Sequence, residues 1–262
     1  CAILPKQDLQ QPMRRDGFEP SLNLTLLDIG SGRFGKFPLY VSSHSGCTVH
    51  SIEYADYVKE QYRFAKKLGL EGKIGKTLFI AQADATKLPY KNQSFDRVSS
   101  ISVIEHIPDN GDLKAARDIG RVLRKDGIAV LTFPYNPLKD DEKAYLFAND
   151  SRFFKSGKSF YGRQPTTERI FFARTYNETR LNQLIKESGL TLTKKIYFGE
   201  PGFPLSRLLY DNNSRLFNFL QKYFLGILTP ILTSMFFKEI PITKFQHDDW
   251  QGVGICVVLE KK

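Results

Sequence analysis

Residues 24–35 read LTLLDIGSGRFG. The apolar run Leu24–Ile29 has the length and composition of a strand buried on both faces of a parallel sheet, where the polar alternation of a half-exposed strand disappears. Gly30-Ser31-Gly32-Arg33-Phe34-Gly35 follows at once. Glycines at the end of such a strand let the backbone come close to a ligand that a side chain would hold off. The GxGxxG spacing is common in itself. With Glu53 about twenty residues on, it also fits a dinucleotide fingerprint, so the neighbouring segments have to decide.

Outward from this stretch, strand-like runs recur at Cys47–Glu53, Leu78–Gln82, Phe95–Ile101 and Gly127–Phe133. Helical patterns separate several of them. In the first, Tyr54, Val58, Tyr62, Ala65 and Leu68 recur at helical spacing, with Gly69 as the stop. In the second, from Asp112 to Lys125, the stripe is Leu113, Ala116, Ile119 and Leu123, and Gly127 ends it. This βαβ alternation predicts an open, doubly wound α/β sheet. Beyond Pro134 the rhythm breaks, and about 135–170 reads as a polar, aromatic and basic insertion. It resumes with a helix over Asn177–Ser188, capped by Asn177 and ended by Gly189. Strands at Thr191–Phe198 and Val253–Leu259 follow, with a second insertion, about 200–249, between them. The reading is one domain over 1–262, with a core at 21–134.

Bulk properties set limits. The chain of 262 residues is 41% hydrophobic and 25% charged, well away from disordered compositions. Its three cysteines, Cys1, Cys47 and Cys256, lack metal-ligand spacing and disulfide-scaffold density, which fits a reducing compartment. The start CAILPKQDLQQPMRRDG lacks the long apolar core of a secretory signal, and the expectation is a cytoplasmic protein, with contact at the membrane periphery left open. The formal charge of +10 suits nucleic acid, anionic lipid or an acidic small molecule equally.

Three further signals narrow the choice. Glu53 ends its strand with a carboxylate able to accept from both hydroxyls of a ribose. Ala83-Asp84-Ala85 places an acid beside a small residue at the end of the third strand. Taken in order, LDIGSGRFG, HSIEY, ADATKLPYKNQSFDRV, SVIEHIPD and IGRVLRKDGIAVLTFP, over about residues 24–134, resemble the class I S-adenosylmethionine-dependent methyltransferases. The branch is the one that holds the ubiquinone and menaquinone methyltransferases and many small-molecule enzymes. The resemblance implies a Rossmann-like, seven-stranded, mostly parallel sheet with an antiparallel last strand, and S-adenosylmethionine as cofactor with S-adenosylhomocysteine as product. It also implies that Asp28, Gly30 and Gly32 border the methionine part, Glu53 holds the ribose, and Asp84 and Ala85 meet the adenine. Ile101 and His106 would line the methionine end and the acceptor entrance. Tyr54 is counted with the cofactor site, and Tyr54 and Tyr135 are candidates to face the sulfonium, with core packing as the plainer role of both. No metal is expected.

Methyl transfer from a sulfonium is an in-line displacement, so no catalytic triad is expected, and positioning does most of the work. An acceptor that must lose a proton calls for a base, and His106 is the histidine that the pattern puts near the cofactor. His44, His50 and His247 read as peripheral or unplaced, and Glu105 reads as an exposed side chain. In this superfamily the N-terminal segment and the two insertions commonly hold the acceptor. The first insertion carries the basic, aromatic run Arg152–Arg163, and the second carries LFNFLQKYFLGILTPILTSMFF at 216–237. Lys222 and Pro230 interrupt that stretch, so it is too short to span a bilayer. It reads as a lid over an apolar pocket or as an interfacial element. The expected partner is a small acceptor, lipid or quinone among the classes, with oxygen, nitrogen and carbon all open as the methylated atom and the oligomeric state unspecified. The rival readings are a nucleic-acid methyltransferase, an NAD(P)-dependent oxidoreductase and a catalytically silent scaffold. Ser102-Val103-Ile104-Glu105 stands where amino-directed nucleic-acid enzymes carry an Asn/Asp-Pro-Pro-Tyr type motif.

Overall fold

A computed structural model describes residues 24–138, 142–147, 169–198 and 253–262. Its centre is β1 (Thr25–Ile29), flanked by β2 (Thr48–Glu53) and β4 (Phe95–Ile101), with β3 (Leu78–Gln82) outside β2. On the other side β5 (Leu123–Pro134), β9 (Gly254–Glu260) and β8 (Thr191–Phe198) complete the order β3-β2-β1-β4-β5-β9-β8. Only β9 runs against its neighbours. The sheet therefore has the doubly wound, seven-stranded form with an antiparallel last strand.

Consecutive side chains of β1 point to opposite faces, and the two cores follow from that. Leu26 packs with Leu39, Val49, Val58, Ala65 and Leu78 on one face, under α1 (Lys36–His44) and α2 (Lys59–Lys67). Leu27 and Ile29 pack on the other with Leu113, Ala116, Ile119, Leu181 and Leu184, under α3 (Gly111–Val122) and α4 (Glu178–Ser188). Asn177 caps α4 as expected, its side chain accepting from the Arg180 N–H at 2.8 Å, a contact of about 1 kcal/mol.

Four local readings need correction. Helix α3 ends at Val122 rather than Lys125, because the buried Leu123 already pairs with Phe95. The next pairing joins Arg97 to Ile128, so residues 124–127 bulge out of the ladder, with Asp126 at φ 61°. The stripe proposed from Tyr54 holds only at Val58 and Ala65. Tyr54, Tyr62 and Leu68 are exposed, and α2 begins at Lys59 and buries Gln61 instead. Helix α1 was not anticipated, and Pro38 sits in its first turn, where its missing N–H costs nothing. The insertion after β5 is not without regular structure: β6 (Glu142–Phe147) and β7 (Arg169–Thr175) pair antiparallel. Its ends are clipped together, with Asn136 N–H donating to Tyr176 O at 2.8 Å and Tyr176 N–H to Pro134 O at 2.9 Å.

The run 152–163, the stretch 216–237, the insertion at 200–249, His247, Cys1 and the N-terminal segment lie outside the described residues. Among the described residues no helix is long and apolar enough to cross a membrane.

Candidate cofactor site

β1 lies between β2 and β4, so the chain switches direction across the sheet there, and the crevice at the carboxyl ends of these strands is the natural ligand position. A cavity of about 570 Å³ occupies it. Gly30 and Gly32 after β1, Glu53 and Tyr54 at the end of β2, Asp84 and Ala85 after β3, and His106 after β4 line it. A cleft of about 300 Å³ shares Gly30 and Gly32 and is bordered by Asp28, Phe34, Phe37 and Ile101. The nine residues singled out from sequence thus surround two neighbouring spaces that share Gly30 and Gly32.

Glu53 is 5% exposed, and its carboxylate ties the glycine turn to β2. Oε2 accepts the Gly32 N–H at 2.8 Å and Oε1 the Ala55 N–H at 3.1 Å. Each oxygen retains lone-pair capacity for a further donor. The turn has a second support that the apolar pattern could not reveal. Buried Gln61 donates from Nε2 to the Gly32 carbonyl at 2.5 Å, and the Ser51 hydroxyl lies 2.7 Å from both Gln61 Oε1 and Ser31 Oγ. Gly30 and Gly32 have φ of +71° and +69°. A Cβ on Gly30 would lie 2.3 Å from the Val103 side chain, whereas one on Gly32 would meet nothing within 4 Å and would project into open space.

Asp28 is 3% exposed and accepts from the Ser99 hydroxyl at 2.6 Å. Burial raises its pKa to about 7, against the lowering effect of the Ser99 hydrogen bond. Because the folded value exceeds the unfolded one, the folded state holds the extra proton between them, and stability falls as pH rises from about 4 to about 7. Replacing Asp28 with Asn is expected to remove that slope, worth up to about 1.4 kcal/mol per pH unit. Urea unfolding across this range checks it, and parallel pH profiles for the two proteins would refute it.

Asp84 is exposed and its Oδ1 accepts from both the N–H and hydroxyl of Thr86 at 2.8 Å, so it does cap a turn while facing the cavity. Tyr54 is 58% exposed on the cavity wall. Tyr135 instead belongs to the core, with its hydroxyl donating to Glu178 at 2.6 Å. His50 sits among Phe79, Tyr90 and Phe95, away from the site, and His44 stacks on Tyr40.

His106 belongs to a short 3-10 turn, Ile104–His106. Its Nδ1 lies 2.6 Å from the carbonyl oxygen of Phe172 in β7. A carbonyl only accepts, so Nδ1 carries the hydrogen and Nε2 the lone pair of the neutral ring. Burial lowers the pKa of this imidazole, and the Phe172 carbonyl acts in the opposite sense. Glu105, expected to be exposed, is 1% exposed. The residues that bury the turn come from β7 and α3, and β7 lies more than sixty positions along the chain. Among the described residues, no group of three or more His, Cys, Asp or Glu side chains is disposed to hold a metal.

Comparison with known proteins agrees with this geometry. Residues 27–131, which carry the glycine turn, Glu53, Asp84 and His106, match the family model of a methyltransferase domain. These residues form a methyltransferase domain of the class I S-adenosylmethionine-dependent type. The methyltransferase GfsG of Streptomyces halstedii is 34% identical over 106 residues, which are 39% of this chain and 34% of GfsG. The ubiquinone/menaquinone biosynthesis C-methyltransferase UbiE of Rickettsia bellii is 27% identical over 179 residues, 65% of this chain and 69% of UbiE. The match thus spans about a third of GfsG and about two thirds of UbiE. In fold, the chain is similar to a SAM-dependent methyltransferase from Methanosarcina mazei, with a TM-score of 0.51 at 19% identity over 91% of this chain and 92% of the other.

Proposed function

We propose that this methyltransferase transfers the methyl group of S-adenosylmethionine to a small, partly apolar acceptor. The adenosine would occupy the larger cavity, with its ribose hydroxyls on Glu53 and its adenine beside Asp84 and Ala85. The methionine end would lie along Gly30 and Gly32 toward Asp28 and Ile101. The observation that carries the reading is that Gly30, Gly32, Glu53, Asp84 and Ala85 line one crevice at the carboxyl ends of β1, β2 and β3, with open space where a side chain on Gly32 would stand. When bound, the cofactor supplies an activated methyl on a sulfonium. The chain supplies position, worth about 7–11 kcal/mol when reacting atoms are held in line, and His106 as a base at the cavity wall for an acceptor that must lose a proton.

The similarity to UbiE, together with the apolar stretch at 216–237, favours a quinone or another lipid-like acceptor, reached by a cytoplasmic protein that touches the membrane periphery. Calorimetric titration with S-adenosylhomocysteine, with NAD and NADP as controls, tests the cofactor half of the proposal. Binding of the first alone is expected, and Glu53→Ala is expected to weaken it by about 1–3 kcal/mol, or about 5- to 150-fold. No binding of S-adenosylhomocysteine, or equal binding of NAD, would overturn the reading. An unchanged Kd in the variant would remove Glu53 from the ribose.

A further inference from the structure

The turn Ile104–His106 sets two titratable side chains side by side, and the reading above uses only His106. Glu105 is almost wholly buried, with Oε1 at 3.8 Å from Nε2 of His106. Its Oε2 has no hydrogen-bond partner among the described residues, and among them no Lys or Arg lies within ion-pair distance of it. An ionised carboxylate so placed is poorly solvated and has a strong demand for a proton. The imidazole beside it can exchange a proton, with Nδ1 against the Phe172 carbonyl and Nε2 toward Glu105 Oε1.

We propose that Glu105 and His106 form a two-station proton path at the wall of the cavity, in which His106 takes the proton of the acceptor and Glu105 stores it. In the first step the acceptor's X–H bond breaks, its electron pair stays on X for the new bond to carbon, and the proton adds to the Nε2 lone pair. In the second, the Nε2–H bond breaks with its pair left on nitrogen, and the proton goes to a carboxylate oxygen of Glu105. Both side chains end neutral, and the transfer requires the 3.8 Å gap between Nε2 and Oε1 to close. The acid then loses its proton to water. His106 is the group that meets the acceptor, and Glu105 is a positioning residue that acts through it. The identity of the proton donor rests on the methyl-transfer reading, whereas the coupling of the two side chains does not.

Burial pushes the Glu105 acid up to about 8, against the lowering hydrogen bonds from its own N–H and the Ser102 side chain, and burial lowers the imidazole. At neutral pH the pair therefore holds one proton, mostly on the carboxyl, and the path opens as that proton leaves. The other charged groups around the turn compensate one another. Tyr176 lies near Glu105 and donates to Asp112 of α3, which also pairs with Arg180 of α4 and faces Arg174 of β7. Arg124–Asp126 of β5 stand at the far end of that strand from Thr132, whose carbonyl accepts the Ser102 N–H beside the turn. Asp109 and Lys114 share the cavity wall with His106.

The test is an NMR titration of the His106 ring in the full chain from about pH 5 to about pH 10. Two inflections are expected: the ring's own below its ordinary value, and a second near 8 that reports ionisation of Glu105. Glu105→Gln should keep the first and lose the second. A single inflection in the unaltered protein, or a second that survives in Glu105→Gln, would overturn the proposal. Infrared difference spectra of the unaltered protein need no substitution: a protonated carboxylic acid band should persist at pH 7 and disappear through about 8, and its absence at pH 7 would also overturn it. Neither readout uses cofactor or acceptor, so failure of S-adenosylhomocysteine to bind and failure of the proton path are separate results.

Discussion

With valine at position 32, the protein is expected to fold and to lose S-adenosylhomocysteine binding by more than about a hundredfold, or ~3 kcal/mol. The added Cβ meets no protein atom within 4 Å, so the fold has nothing to displace, and the side chain projects into the space where the ligand is proposed to lie. A residual cost arises from φ +69°, which a β-branched residue adopts at about 1–2 kcal/mol. Calorimetry beside a urea melt separates the two effects. Affinity within a few fold of the unaltered protein would mean that the ligand does not cross the turn.

Asp112→Ala is expected to cost about 3–5 kcal/mol of stability, the range for removing one member of a buried ion pair. Asp112 is fully buried and accepts from Arg180 Nη2 at 2.5 Å, Arg180 Nε at 3.0 Å and the Tyr176 hydroxyl at 2.7 Å. Its loss strands guanidinium charge where water cannot reach and leaves the buried tyrosine hydroxyl without its acceptor. The midpoint of urea unfolding should fall with little change in slope. By contrast, Lys66→Ala, which breaks an exposed pair with Glu71, should change stability by less than about 1 kcal/mol. Equal effects of the two substitutions would refute the account. Because Gly111 and Lys114 of α3 line the cavity, ligand affinity should also fall in Asp112→Ala.

The sheet was legible because parallel strands buried on both faces appear as short apolar runs, and five such runs from Leu24 to Phe133 recur in order. The residues that line the crevice were legible because they sit at the ends of those runs. What escaped depended on contacts distant in sequence or on polar groups turned inward. Glu105 is buried by an insertion strand that begins at Arg169, and Gln61 is buried because its amide serves the Gly32 carbonyl. Periodicity follows apolar residues, so it marked Tyr62 and Leu68, which face solvent, and passed over Gln61. The end of α3 was misplaced because Gly127 marks a bulge inside β5 rather than the end of the helix.

Glu53 and Gln61 hold Gly32 from two sides, one at its N–H and the other at its carbonyl. A turn fixed in this way has little freedom left to lose, so the entropy penalty of arrival falls on the incoming molecule alone. Association should then proceed at an ordinary diffusional rate of about 10⁵–10⁷ M⁻¹s⁻¹, with no slow closure phase at this turn. Product residence time would be governed by how quickly contacts to a rigid wall break. In a fixed socket of this kind, substitutions around the turn should act on departure much more than on capture.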